Sequence, residues 1–136
     1  MNEQPKPGES WIGFFRSKGQ FADLVLTAWC TSEFYLNQLF TKQFGKWFDY
    51  PDAKILVDMP FSKKLDYLKD MEIISKEEFK TIRNFQQFRN KLFHKDSPTY
   101  VTWSDFKKEK LMDEAIHATH ILRDVLILGD NREKIL

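Results

Sequence analysis

The sequence predicts an all-α protein, an up-and-down bundle of four to five helices. Apolar residues recur at helical spacing over long stretches, and no alternating strand pattern occurs. Glycine and proline contribute only five residues each to the 136, while hydrophobic residues make up 42%. We therefore expect a single helical domain over residues 11–129, with a polar leader at 1–10 and a tail at 130–136.

The first two helices are predicted on either side of Gly19. Residues 11–15 can form a short helix that the glycine ends, and a long helix is predicted over residues 20–44. Residues 45–60 contain two prolines and are predicted to form a loop. The long helix has Glu33 at the edge of a buried face that comprises Phe21, Leu24, Val25, Ala28, Ser32, Tyr35, Leu36 and Leu39.

The next two helices have candidate N-caps. Ser62 is the predicted N-cap of a third helix that runs to about Met71. Ser75, followed three residues later by Glu78, forms a capping-box pattern, so a fourth helix is predicted to start there and run to about Lys95.

The last helix is predicted from Ser104 to about Leu128, with Gly129 ending it. Its apolar stripe comprises Leu111, Ala115, Ala118, Thr119, Leu122, Val125 and Leu126. His117 and His120 lie opposite that stripe and are too few to hold a metal ion. We therefore predict neither a metal nor another cofactor.

One position breaks the pattern of the fourth helix. Arg89 falls near the middle of an apolar arc of roughly 180° on a helical wheel. The arc is formed by Phe79, Ile82, Phe85, Phe88, Leu92 and Phe93. A guanidinium keeps its charge, so within an apolar face it needs a partner or a wet cavity. Positions that break a local rule in this way are where functional sites are expected.

Arg89 begins the segment RNKLFH, whose side chains suit RNA cleavage. The imidazole of His94 titrates near neutrality, so it can take the 2′-hydroxyl proton or protonate the leaving 5′-oxygen. The guanidinium can stabilise the charge of a phosphorane-like transition state. Five residues of helix separate the two side chains by about 140°, so one helix cannot direct both at one atom. Two facing helices can, which predicts a composite site in a homodimer.

The net charge of +1 conceals a basic segment. Residues 76–110 hold nine Lys or Arg against five Asp or Glu. This excess suits a partner with a few phosphates, and we expect Lys91 and Lys95 to contact RNA. Asp96 places a carboxylate near His94 and is expected to raise the pKa of that imidazole.

The residues quoted above carry a resemblance to a known family. The motif and its upstream sequence, PFSKKLDYLKDMEIISKEEFKTIRNFQQFRNKLFH, resemble the HEPN superfamily, closest in pattern to its mannitol-operon-repressor-like branch. The resemblance covers residues 20–128 as a helix pattern and is specific over 60–95. It implies a metal-independent endoribonuclease, such as the toxin of a toxin–antitoxin or phage-defence system. In that family Arg89 and His94 would be the catalytic pair, supported by Asn90, in a homodimer that an antitoxin or regulatory protein can bind.

Two structural alternatives remain open for these residues. Arg89 could form an ion pair with Glu33 across the bundle, where the resemblance also favours an acidic residue, and His94 could cap its helix. The position that carries a modified tyrosine in some HEPN toxins is Asp96 here. A second functional hypothesis is a non-catalytic regulatory or adaptor protein, suggested by the near-zero net charge and the four tryptophans.

The expected location is the cytoplasm. A single cysteine, Cys30, argues against a disulfide-held secreted protein. The N-terminus is polar and contains prolines, unlike a signal peptide. No apolar run approaches the roughly 20 residues that a membrane span needs, so no membrane partner is expected.

Overall fold

The computed structural model describes residues 3–44, 58–93 and 102–129, and these form helices without any strand. The described helices are α1 (Trp11–Lys18), α2 (Phe21–Phe44), α3 (Phe61–Asp70), α4 (Lys76–Leu92) and α5 (Asp105–Leu128). The predicted all-α bundle is thus confirmed. In these ranges no helix combines the length and the apolar character that crossing a membrane requires.

Local sequence signals set most helix ends. Ser75 accepts a hydrogen bond from the Glu78 backbone N–H while the Glu78 carboxylate accepts one from the Ser75 N–H, so the predicted capping box is complete. Ser104 caps α5 by accepting from the backbone N–H of Lys107. Gly19 ends α1 in the left-handed conformation, at φ 66°, which a glycine adopts without steric cost.

The predicted cap at Ser62 is wrong. Helix α3 begins one residue earlier, at Phe61, and Pro60 occupies the N-cap position without a side-chain cap. The Pro60 carbonyl accepts hydrogen bonds from the N–H groups of Lys63 and Lys64, so the proline itself starts the first turn. Proline fixes its own φ, here at −57°, and this makes it a suitable entry residue even though it lacks a side-chain acceptor.

Replacing Ser75 with alanine should lower the free energy of unfolding by about 1 kcal/mol, because it leaves an N–H of the first turn without its acceptor. Urea denaturation would measure the change. Thr81→Ala is the matched control, since the Thr81 hydroxyl only bonds the Glu77 carbonyl within α4. An equal loss in both variants would contradict the capping role.

The helices do not simply alternate in direction. The Trp29 ring contacts the Phe61 ring near the start of α3, and Phe40, further along α2, contacts Tyr67. Helices α2 and α3 therefore run parallel, whereas the short turn at residues 71–75 makes α3 and α4 antiparallel. The up-and-down order predicted from the sequence holds for α3, α4 and α5 but fails between α2 and α3, which residues 45–57 connect.

Helix α2 is the centre of the bundle and packs against each of the other four described helices. Its longest interface is with α5, where Trp103 contacts Phe21 near one end and the Lys42 ammonium bonds the Leu126 carbonyl near the other. Between them the buried Ser32 and Thr119 hydroxyls share a hydrogen bond of 3.0 Å.

Candidate functional site

Arg89 lies in the last turn of α4 and stacks on an aromatic ring of α2. The central carbon of its guanidinium is 4.6 Å from the centre of the Trp29 ring and 5.6 Å from that of Phe93. The side chain is partly buried, as its place in the apolar arc predicts. An arginine over a tryptophan face gains both dispersion and cation–π attraction, so the cation is held at a fixed place on the bundle.

The Arg89 guanidinium retains unused hydrogen-bonding capacity. Its Nη1 donates to the Asn90 Oδ1 at 3.2 Å, which brings together two of the predicted site residues. Its Nε is buried without an acceptor. Within the described ranges Nη2 has no partner either, and no carboxylate forms an ion pair with this arginine. The side chain is therefore a cation that these ranges do not neutralise.

Trp29 is a rigid support for this cation. It is 6% exposed, its ring lies 4.5 Å from the Phe61 ring and 5.8 Å from the Phe85 ring, and these three rings come from three different helices. Sequence reasoning did not assign Trp29 to the site. Its position in the sequence could have assigned it, because Trp29 lies four residues before Glu33, on the edge of α2 that was expected to face Arg89.

The ion pair between Glu33 and Arg89, one of the two structural alternatives, is not formed. Glu33 is exposed, and its charge acts instead on Lys64 of α3, where it favours the protonated amine. The physical reason is the packing of α2 against α4, which places the Trp29 ring rather than the carboxylate over the guanidinium.

The other predicted site residues divide into two groups. Asn90 and Lys91 are exposed at the end of α4, where they are open to a ligand. His94, Lys95 and Asp96 lie outside the described residues. Helix α4 ends at Leu92 with Phe93 as its C-cap, three residues before the end predicted near Lys95. The structure therefore does not bear out the continuous helix from Arg89 to His94 on which the predicted angle of about 140° depends.

Gln86 is a further polar residue that sequence reasoning missed. Its Oε1 is buried and unpaired in the described structure, one turn before Arg89 on α4. An unpaired acceptor and an unpaired donor thus occupy the same stretch of helix, although buried polar groups are normally paired. The sequence could have indicated this burial, because the helical wheel of α4 places Gln86 about 20° from Phe79 and within the apolar arc.

Chemically, the end of α4 offers an oriented guanidinium, a neighbouring amide and an exposed ammonium. This set can bind a phosphate by charge-assisted hydrogen bonds. The described residues include no group of three or more His, Cys, Asp or Glu side chains placed to hold a metal ion.

Comparison with protein-family models, with curated proteins and with solved structures gives no match for this chain. The chain's own residues are therefore the basis for assigning a function. The strongest of these observations is the guanidinium of Arg89, which lies over the Trp29 ring at the start of the RNKLFH segment and has no carboxylate partner among the described residues.

Proposed function

We propose that the chain is a metal-independent endoribonuclease of HEPN type. The observation that carries the proposal is the Arg89 guanidinium, held on Trp29 without a carboxylate partner in the described ranges. A structural arginine in an apolar face is normally paired, because burying an unpaired charge is costly. A guanidinium kept free and oriented is instead what binding an anion requires.

The stacking on Trp29 supports a role for Arg89 at the scissile phosphate. The Trp29 ring holds the guanidinium by cation–π attraction, with the central carbon 4.6 Å from the ring centre, and this attraction does not require its N–H groups as hydrogen-bond donors. Nη1 is already oriented by Asn90, and Nη2 has no partner among the described residues. A phosphate bound there would gain hydrogen bonds from a cation that loses little conformational freedom on binding.

The proposed reaction is transesterification within the RNA strand. The 2′-oxygen attacks the adjacent phosphorus while His94 removes the 2′-hydroxyl proton, and the bond from phosphorus to the 5′-oxygen breaks. A second imidazole or water returns a proton to the 5′-oxygen. The products are a 2′,3′-cyclic phosphate and a 5′-hydroxyl end, and Arg89 stabilises the charge that develops on the phosphoryl oxygens.

The proposed site is shared between two copies of the chain. Phe93, the C-cap residue of α4 one turn beyond Arg89, is 43% exposed, and Leu26, one turn before Trp29 on α2, is 47% exposed. Because α2 and α4 run antiparallel, both side chains lie toward the same end of the bundle. Exposed apolar groups beside a polar site suit an interface, here with the second chain that would supply the complementary His94.

The test is cleavage of a mixed RNA pool by the purified protein in EDTA. We expect fragments with cyclic-phosphate ends from the wild type and none from His94→Ala. His117→Ala is the matched control, because His117 is an exposed histidine on α5 that does not belong to the motif, and it should cleave like the wild type. Equal cleavage by wild type and His94→Ala would indicate a contaminating nuclease and contradict the proposal.

The alternative of a non-catalytic regulatory or adaptor protein draws on one specific observation. Phe34 is 57% exposed on α2, about two turns along the helix from the exposed Leu26. These side chains would suit a protein partner, such as an antitoxin or regulator. Under this alternative no RNA is cleaved, and Phe34→Asp abolishes binding to the partner while the protein stays folded.

A further inference from the structure

Phe93 is exposed, although the helical wheel places it in the apolar arc of α4. It is 43% exposed, whereas Phe85 and Phe88 of the same arc are 0% and 8% exposed. The cause is local, because α4 ends at Leu92 and the C-cap residue Phe93 has φ −103° and ψ 22°, which are not helical values. The ring therefore does not follow the buried face of the helix.

The exposed ring lies beside the cation of the proposed site. The central carbon of the Arg89 guanidinium is 5.6 Å from the centre of the Phe93 ring and 4.6 Å from that of Trp29. Trp29 is 6% exposed and packs among other rings of the core, whereas Phe93 forms no ring–ring pair within the described ranges. One ring thus supports the guanidinium from the interior, and the other presents apolar surface to solvent next to it.

A nucleobase is a group that suits this exposed ring. Nucleobases stack on the faces of aromatic side chains, whichever base is offered. The base and the phosphate of one nucleotide are joined through a single ribose, so a phosphate held at Arg89 leaves a neighbouring base within reach of Phe93. Such stacking requires an unstacked base, which a loop or a single strand provides and a regular duplex does not.

We propose that Phe93 stacks an unpaired base next to the scissile phosphate, and that the Arg89 site therefore acts on single-stranded RNA. This inference rests on the proposed ribonuclease function. Phosphate and base are bound by different groups, since the guanidinium takes the charge and the ring takes the flat face of the base. Phe93 thereby determines the choice of substrate, while Arg89 and His94 perform the chemistry.

Phe93 also lies beside the proposed interface between two copies of the chain, so the two roles need separate variants. An interface uses the apolar bulk of the side chain, whereas a base uses its flat aromatic face. Phe93→Leu keeps apolar bulk and removes the aromatic face, and Phe93→Trp keeps an aromatic face. Phe106→Leu on α5 is the matched control, because Phe106 is 78% exposed and belongs to neither the proposed site nor the interface.

Binding is measured by fluorescence anisotropy with a short labelled 2′-O-methyl RNA, which cannot undergo the proposed cleavage. We expect the wild type to bind the single strand roughly tenfold more tightly than the same strand annealed to its complement. Phe93→Leu should lose roughly tenfold in affinity for the single strand and nothing for the duplex. Phe93→Trp and Phe106→Leu should bind both forms as the wild type does.

Two results of this measurement would overturn the proposal. One is equal affinity of the wild type for the single strand and the duplex, and the other is unchanged single-strand binding by Phe93→Leu. Sedimentation and thermal unfolding of Phe93→Leu separate a lost base contact from a lost dimer or a lost fold. Weaker binding that accompanies dissociation of a wild-type dimer would assign Phe93 to the interface instead.

An abasic nucleotide locates the contact. A series of the same strand carries one abasic ribose at each position in turn, and we expect the wild type to bind one member of the series more weakly than the intact strand. For Phe93→Leu that abasic ribose should cause no further loss, because both changes remove the same contact. Losses that simply add would assign the base to another side chain and contradict the proposal.

Cleavage of an RNA hairpin in EDTA distinguishes this proposal from the ribonuclease function itself. The wild type should cleave in the loop and leave the stem intact. Cleavage of the loop and the stem at equal rates would overturn the substrate class and leave the ribonuclease function standing. Absence of any cleavage would contradict the ribonuclease function and the substrate class together, while the binding measurements would still decide the base contact of Phe93.

Discussion

Replacing Arg89 with lysine should reduce RNA cleavage nearly as much as replacing it with alanine, by about two to three orders of magnitude in the single-turnover rate. Lysine keeps the positive charge but loses the planar fork, and its ammonium cannot stack on Trp29 as the guanidinium does at 4.6 Å. The expected loss therefore tests orientation as well as charge. Rates are measured in EDTA with a labelled RNA that the wild type cleaves at one site.

Arg83→Ala provides the control for the Arg89 variants. Both arginines lie on α4, but Arg83 is outside the RNKLFH segment and makes no ring contact within the described residues. It should retain the wild-type rate. Thermal unfolding of each variant separates lost chemistry from lost structure. Activity within a few-fold of wild type in a folded Arg89→Ala protein would show that the residue is structural.

Helix ends that rest on local chemistry could be predicted from the sequence. Ser75 with Glu78, and Ser104 at the start of α5, use hydrogen bonds to backbone groups three residues away, so the sequence alone carries the information. Ser62 was predicted as a cap by the same reasoning. The chain instead enters α3 from Pro60, whose fixed φ competes with the serine for the starting position.

The surroundings of Arg89 could be predicted only in part. The wheel of α4 alone showed that Arg89 faces the interior, which its partial burial confirms. It could not show which side chain of α2 lies opposite, because that depends on the relative direction and offset of two helices. If α2 and α4 were offset by one turn, Glu33 would lie opposite Arg89 in place of Trp29. An ion pair would then replace the cation–π contact.

Lys64 was missed for the same reason. Its position on α3 gave no sign of burial, yet the residue is only 4% exposed and its ammonium bonds the Asn37 Oδ1 of α2. Burial lowers the pKa of Lys64, while the negative charges of Asp58 and Glu33 partly oppose that shift. The parallel packing of α2 and α3 creates this environment, and no pattern within either helix reports it.

Replacing Asn37 with leucine should destabilise the protein by about 2–3 kcal/mol, because the buried Lys64 charge then loses its hydrogen-bond acceptor. Lys64→Met should cost much less, since Asn37 is partly exposed and can bond water instead. Lys64→Met added to Asn37→Leu should recover most of the lost stability. Urea denaturation of the wild type, the two single variants and the double variant at pH 7 gives the four free energies of unfolding of a double-mutant cycle. If the effects of the two single substitutions simply added in the double variant, the coupling between Asn37 and Lys64 would be contradicted.

The pH dependence of the free energy of unfolding separates the electrostatic effect of Lys64 from the effect of its packing. In the folded state the pKa of Lys64 lies below its usual value of 10.5, so above the folded pKa the unfolded chain binds more protons than the folded one. The penalty for burying the charge is fully present below the folded pKa and fades as the pH rises toward 10.5. The stability of the wild type relative to Lys64→Met should therefore increase between neutral pH and about pH 10. A constant difference would mean that methionine and lysine differ only in packing, because packing terms do not titrate.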